Sequence, residues 1–120
     1  MSPKKYIADS KMFEYDKHYR ECTQSNQPFI RAKINPANGY YHVQIDLMPC
    51  DYVFSKEGLE HLKNLFEDET RHLKPKASLA SYSVDKELSW VDGVVPSRLD
   101  TFCESLYDLS QQYRLEESKI

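Results

Sequence analysis

The stretch that decides the fold is PSRLDTFCESLYDLSQQYR, residues 96–114, because one side of it is apolar along most of its length. At the 3.6-residue period of an α-helix, its large apolar side chains fall on a single stripe: Leu99, Phe102, Cys103, Leu106, Leu109 and Tyr113. Pro96 keeps the incoming chain extended, and Ser97 with Asp100 has the spacing of a helix N-cap and its capping partner. The pattern predicts a C-terminal helix that packs against the rest of the chain.

The opposite side of this predicted helix is acidic. Asp100, Glu104 and Asp108 recur every four residues, so their carboxylates line up on the side turned away from the apolar stripe. Like charges at this spacing destabilise a helix by roughly 0.2–0.5 kcal/mol per pair. Two interpretations remain open: a solvated helix face, or a docking surface for a basic partner with Tyr107 at its edge.

Two further helices are predicted upstream. Residues 11–22 follow Ser10, a typical N-cap, and carry an apolar stripe: Met12, Tyr15, Tyr19 and Cys22. Residues 56–73 follow a second N-cap, Ser55, and carry a longer stripe: Leu59, Leu62, Leu65, Phe66 and Leu73. Glu67 and Arg71 have the spacing of a surface ion pair on this second helix, which we expect Pro75 to end.

A β-hairpin lies between these two helices. Residues 29–34 and 40–47 alternate apolar with polar side chains, and NPANG (35–39) between them ends in an Asn-Gly pair suited to a tight turn. The predicted buried face is apolar: Ile30, Ala32, Ile34, Tyr41, Val43, Ile45 and Leu47. The predicted polar face carries Gln44 and Asp46 together with cations and aromatic rings: Arg31, Lys33, Tyr40 and His42.

Two more short strands complete the predicted fold. Ala80, Tyr82 and Val84 alternate with serines, Leu88 and Trp90 alternate with Ser89, and Asp92-Gly93 is expected to turn the chain. The order of elements predicts an α+β fold, with a small antiparallel sheet and about three helices packed on one of its faces. Residues 1–120 are expected to form one domain, in which residues 1–9 are a flexible tail or an edge strand and residues 115–120 are frayed.

Composition excludes several classes of protein. The 120 residues are 40% hydrophobic and 29% charged, the balance of an ordinary globular domain rather than of a disordered chain. No apolar run reaches the length of a membrane span, and the start lacks the apolar core of a signal peptide, so we expect a cytoplasmic protein. Cys22, Cys50 and Cys103 are odd in number and widely spaced, which argues against a disulfide framework or a metal knuckle.

Charge is distributed unevenly along the chain. Residues 1–38 hold seven Lys or Arg against four Asp or Glu, whereas residues 78–120 hold four against eight. The two ends therefore carry opposite net charges, +3 and −4. This asymmetry predicts either an electrostatic match between the two ends or a charged partner for one of them.

Catalytic and cofactor motifs are missing. His61, Asp68 and His72 lie along one flank of the second predicted helix, but their spacing suits surface residues better than zinc ligands. The acidic run Glu67-Asp68-Glu69 points in three directions on a helix, which favours solvated surface over a shared metal ion. The three glycines are isolated, so no phosphate-binding loop forms. A nucleophilic Cys50 is the weaker alternative, and we expect neither an enzyme nor a cofactor or metal.

Two functions fit these patterns, and they use different surfaces. The leading hypothesis is a small acidic interaction module that docks Asp100, Glu104, Tyr107 and Asp108 on a basic surface, such as that of a nuclease or another nucleic-acid-handling enzyme. Immunity proteins, antitoxins and phage-encoded viral inhibitors are proteins of this type. The alternative is a single-stranded nucleic-acid-binding module that uses Arg31, Lys33, Tyr40 and His42. A homodimer that joins basic and acidic ends is a third arrangement.

Overall fold

The hairpin forms the centre of the sheet. In the computed structural model, which describes residues 4–73 and 81–116, β2 (Phe29–Ile34) pairs antiparallel with β3 (Tyr41–Asp46). Gly39 in the connecting turn has a φ of 76°, a conformation that glycine adopts without strain. Ile30, Ala32, Val43 and Ile45 are fully buried on one face, as the alternation predicts. The prediction was wrong for Ile34, which is 38% exposed at the end of β2 beside the turn, and Tyr41 is only half-buried.

Three more strands extend the sheet on both sides of the hairpin. β6 (Leu88–Val94) pairs antiparallel with β3, and β5 (Tyr82–Ser83) pairs with β6. On the other side, β1 (Ile7–Ala8) runs parallel to β2, which gives the order β1-β2-β3-β6-β5. The predicted purely antiparallel sheet is therefore wrong in part. The sheet is mixed because α1 (Met12–Ser25) connects β1 to β2 as a crossover, and a crossover makes its two strands parallel.

Helices lie on both faces of this sheet. α2 (Lys56–Thr70) and α3 (Leu99–Gln112) share the main core with the buried face of the hairpin, where Phe66, Phe102 and Leu106 are almost fully buried. α1 packs on the opposite face, against Phe29. The prediction that all helices lie on one face of the sheet was wrong. Phe29 and Ile30 at the start of β2 are both apolar and point to opposite faces, so each face offers an apolar contact to a helix.

A second, two-stranded sheet joins the ends of α2 and α3. β4 (Tyr52–Phe54) precedes α2 and pairs with β7 (Arg114–Glu116), which follows α3. Residues 114–116 are therefore a strand, although residues from 115 onward were expected to fray. Likewise, Ile7 and Ala8 confirm the edge strand rather than the tail.

The helix ends differ from the sequence prediction in detail. Ser55 caps α2 as predicted and accepts a hydrogen bond from the Gly58 amide at 3.0 Å. Ser10 and Ser97 do not cap their helices: Ser10 donates to the Ala8 carbonyl, and a 3-10 turn, Pro96–Arg98, precedes α3. The expected stop at Pro75 and the start of the strand at Ala80 lie outside the described residues.

The predicted turn at Asp92-Gly93 is a β-bulge inside β6. Tyr41 pairs with Val94 and His42 pairs with Asp92, so Gly93 is the extra residue, with a φ of 99°. The bulge changes the pairing only beyond His42 and Asp92, which are opposite each other in the regular ladder that starts at Asp46 and Leu88. Within residues 4–73 and 81–116, no helix is both long and apolar enough to cross a membrane.

Candidate functional site

The acidic side of α3 has the geometry that the sequence predicts. Leu99, Phe102, Cys103 and Leu106 are buried, whereas three side chains on the outer side are exposed: Asp100, Glu104 and Asp108. Tyr107 is half-buried beside them. We name these four residues the α3 acidic surface.

A basic stretch of the same chain lies on this surface. The N-terminal segment, residues 4–8, reaches it through Lys5 and Tyr6. The Tyr6 hydroxyl donates a hydrogen bond to Asp100 Oδ1 at 3.0 Å, and Lys5 Nζ lies 3.9 Å from Asp108 Oδ1. The same ammonium lies 5.2 Å from the centre of the Tyr107 ring, within the range of a cation–π interaction. The electrostatic match between the two ends, one of two predictions from the charge distribution, thus occurs within one chain.

The phenol of Tyr6 is affected both by burial and by the negative charge around it. Its pKa is raised to about 12, chiefly by burial and then by the hydrogen bond to Asp100 and the negative charge around it. A phenolate beside a carboxylate is unfavourable because two like charges are brought together. The α3 acidic surface therefore favours neutral or cationic groups over anions.

A cleft of about 470 Å³ remains between the N-terminal segment and α3. Its lining combines basic, apolar and acidic groups: Lys4, Lys5, Tyr6, Ile7, Ala8, Ser10, Asp100 and Glu104. Within the described part of the chain, Glu104 makes no hydrogen bond or ion pair, although its charge acts on Tyr6. The segment thus occupies the two ends of the stripe and leaves its middle carboxylate available.

The polar face of the hairpin was only partly identified from the sequence. Lys33 and His42 are opposite each other on β2 and β3, and Arg31 lies two residues earlier on the same face of β2. Tyr40 precedes β3 and lies outside the strand ladder. Its side chain is not among those lining the cleft of about 210 Å³ beside Lys33 and His42.

Two residues on this face were missed. Trp90 and Asp92 lie on β6 opposite Gln44 and His42, so they share the face of Arg31 and Lys33. We name Arg31, Lys33, His42, Trp90 and Asp92 the sheet patch. The alternation around Ser89 contained the signal but did not say which residues face the core, and in the structure Ser89, not Trp90, is fully buried.

Ser89 is buried although it is polar, because its hydroxyl forms hydrogen bonds with the backbone of the preceding turn. Its hydroxyl donates to the Asp85 carbonyl and accepts from the Asp85 amide, both at 2.9 Å. A satisfied hydroxyl can be buried at little cost. This explains how a serine, rather than the neighbouring tryptophan, faces the core.

Two candidate metal ligands on α2, His61 and Asp68, have different partners and do not form a common site. His61 lies 3.8 Å from Glu57 and stacks on Tyr113, and Asp68 pairs with Arg71 at 3.2 Å. Among the described residues, no group of three His, Cys, Asp or Glu side chains could hold a metal ion. The predicted pair of Glu67 with Arg71 is replaced by the pair of Asp68 with Arg71.

The acidic run on α2 diverges as expected, but it is not all solvated. Glu67 accepts a hydrogen bond from the Tyr82 hydroxyl at 2.7 Å. Glu69 is buried and accepts two hydrogen bonds from Arg98, at 2.8 and 3.3 Å. This bidentate pair ties α2 to the start of α3, so Glu69 is a structural residue and the expectation of solvated surface was wrong for it.

All three cysteines are buried, so the structure favours structural roles for them. Burial is the main reason that the pKa values of the Cys22 and Cys103 thiols are raised to about 12. A thiol with so high a pKa is a poor nucleophile at neutral pH. Cys50, the alternative nucleophile, is also enclosed in the core.

Comparison with known proteins identifies no relative. No protein-family model, curated protein or solved structure matches this chain. Function must therefore be argued from the two surfaces themselves.

Proposed function

We propose that this chain is a protein-binding module of the inhibitor or neutraliser type, which docks the α3 acidic surface on a basic surface of a target protein. One observation carries the proposal: the surface already holds a lysine and a tyrosine of its own chain. Lys5 and Tyr6 contact Asp108, Tyr107 and Asp100 with the groups that a basic target would present.

The composition of the surface supports this function. Carboxylates steer a cationic partner during encounter, and a tyrosine ring supplies contact area that loses little conformational entropy. Glu104 lies between the two occupied ends and lines the cleft, so it can accept one more cation without displacing an existing contact. A basic site of a nuclease or of another nucleic-acid-handling enzyme has matching chemistry.

Binding at this surface involves competition with the N-terminal segment. An exposed ion pair such as that of Lys5 with Asp108 stabilises by at most about 1 kcal/mol, so a target with several cations can displace it. Since the basic end of the chain meets its own acidic helix, the same match gives no separate reason for a homodimer.

Affinity capture from a lysate of the cell that makes the protein tests the proposal when three baits are compared. The baits are the wild type, Asp100→Lys with Asp108→Lys, and a control, Asp16→Lys with Glu60→Lys, which makes the same change in net charge at exposed residues elsewhere. After nuclease treatment, we expect a basic protein to elute from the wild type and the control but not from the α3 variant, and to be released by salt. Equal capture of that protein by all three baits would contradict the proposal.

A further inference from the structure

The second polar surface, the sheet patch, lies on the face of the sheet opposite α2 and α3. Its side chains form two rows across β2, β3 and β6, and residues within a row are register partners: Lys33, His42 and Asp92 in one row, and Arg31, Gln44 and Trp90 in the other. α1 packs on this face beyond them, around Phe29. Among residues 4–73 and 81–116, the two rows are therefore a polar surface flanked by a helix, α1, on one side only.

His42 is held in one orientation by two neighbours. Its Nδ1–H donates a hydrogen bond to Asp92, because a carboxylate can only accept, and this fixes the position of the ring proton. Asp92 also accepts from the Ser81 hydroxyl at 3.3 Å. The Trp90 ring stacks on the imidazole with centroids 5.4 Å apart and an angle of 28°.

This arrangement leaves one nitrogen of His42 and the ammonium of Lys33 able to bind a ligand. His42 Nε2 has no hydrogen-bond partner among the described residues, and the side chain is 36% exposed. Lys33 is exposed and makes no ion pair within residues 4–73 and 81–116. Such a preorganised ring beside a free cation resembles the surfaces that bind bases and phosphates together.

The cleft beside His42 is cationic on one wall. Arg31 and Lys33 line it together with Ile34, Asn35, His42 and Asp92, and its volume is about 210 Å³. Arg31 is already partly engaged, since its guanidinium lies 5.8 Å from the centre of the Tyr15 ring. Lys33 is therefore the cation best placed to receive an anionic group.

The negative charge of the α3 acidic surface does not cancel this site. α3 packs on the other face of the sheet, and its acidic side is turned away from the sheet, so a helix of about 10 Å diameter and the sheet itself lie between. At physiological salt the Debye length is about 8 Å, so charges on the two surfaces are largely screened from each other.

We propose that the sheet patch binds single-stranded nucleic acid, with a base against the Trp90 and His42 rings and a phosphate at Lys33 and Arg31. Asp92 acts as a positioning residue, since it holds the imidazole beside Trp90. The regular antiparallel pairing of β3 with β6 places Asp92 opposite His42. This site is independent of the α3 acidic surface.

Tryptophan fluorescence tests the site directly because Trp90 is the only tryptophan in the chain. Addition of a short single-stranded oligothymidylate at low salt should quench its emission with saturation. Inorganic phosphate at the same concentration should leave the emission unchanged. No quenching by the oligonucleotide, or equal quenching by phosphate, would overturn the proposal.

Matched lysine variants connect the fluorescence change to the cleft. Lys33→Gln should weaken oligonucleotide binding about three- to tenfold and lower the dependence of log affinity on log salt by about one, as expected for one lost phosphate contact. Lys33→Arg should restore both. The control Lys63→Gln, at an exposed lysine of α2 on the other side of the molecule, should bind as the wild type. Equal affinities of the Lys33→Gln and Lys63→Gln variants would refute this placement of the phosphate.

Discussion

At the α3 acidic surface, Asp100, Asp108 and Tyr107 already have partners from the N-terminal segment, whereas at the sheet patch Lys33 and His42 Nε2 have none among the described residues. Both surfaces are polar and accessible, but the first is engaged at both ends by the N-terminal segment, whereas the second keeps Lys33 available although Arg31 lies beside Tyr15. The difference teaches that a contact within the chain has two consequences for a surface. The contact lowers the net attraction of the surface for a partner, and it shows which chemical groups the surface binds.

The largest effect on binding should come from reversing charge on the α3 acidic surface, with peptide binding at that surface and oligonucleotide binding at the sheet patch both measured. Asp100→Lys with Asp108→Lys should weaken binding of a synthetic peptide MSPKKYIA, the sequence of residues 1–8, by at least about tenfold at low salt, because attraction becomes repulsion. At physiological salt, oligonucleotide binding at the sheet patch should stay unchanged, because the two surfaces are separated by more than the Debye length of about 8 Å. Fluorescence anisotropy of labelled peptide and labelled oligonucleotide measures both. Loss of both ligands would show that the two surfaces are not independent, and loss of neither would show that the peptide does not bind the α3 acidic surface.

A smaller effect of opposite sign is expected when the internal occupant is removed. Lys5→Ala with Tyr6→Phe should raise the affinity for the same peptide about three- to tenfold, since loss of an exposed ion pair and a hydrogen bond removes roughly 1 kcal/mol of competition. The control is Lys11→Ala with Tyr40→Phe, which makes the same chemical changes away from α3. An unchanged affinity in the first variant would show that the N-terminal segment does not compete.

The smallest effect is on stability and depends on pH. The pKa of Tyr6 is raised from 10.0 to about 12 in the folded protein, so its contribution is fully present below pH 10 and is lost as the pH rises through about 12. Tyr6→Phe should therefore be less stable than the wild type at neutral pH, by under about 1 kcal/mol for so exposed a contact. This difference should shrink between pH 10 and about 12. Urea unfolding at several pH values measures it, and a difference that does not change with pH would argue against the contact with Asp100.

The sequence was most informative where one periodicity dominates. The apolar stripe of α3 and the alternation of β2 and β3 predicted the elements and their buried faces, because burial of one face is the strongest constraint on these residues. Ser55 was recognised as a cap for a local reason, since its hydroxyl bonds an amide three residues later. Ser10 and Ser97 had the same local signal, but the Ser10 hydroxyl donates to the Ala8 carbonyl instead, and a 3-10 turn precedes α3.

The structural features that the sequence did not predict correctly depend on contacts between residues that are distant in the chain. Strand β1 has only two residues, and it forms because β2 offers a free edge to Ile7 and Ala8. The alternation of β6 left open which of its residues face the core, and Ser89 can be buried there because Asp85 satisfies its hydroxyl. Trp90 and Asp92 consequently joined the sheet patch, which sequence reasoning had built from the hairpin alone.

The α3 acidic surface itself was identified, whereas its occupant was not. Charge counts allowed an internal match or an external partner, and counts alone do not decide between them. The choice depended on where Lys5 and Tyr6 lie relative to Asp108 and Asp100, which is a property of the parallel pairing of β1.

The most direct test of the central claim is an NMR titration of the isotope-labelled full chain with the MSPKKYIA peptide, followed by amide proton–nitrogen correlation spectra. If the α3 acidic surface binds basic segments and the N-terminal segment occupies it, shifts should concentrate on the amides of residues 100–108. The variant Lys5→Ala with Tyr6→Phe should saturate at lower peptide concentration than the wild type. Shifts that avoid α3, or no shifts in either protein, would contradict the account.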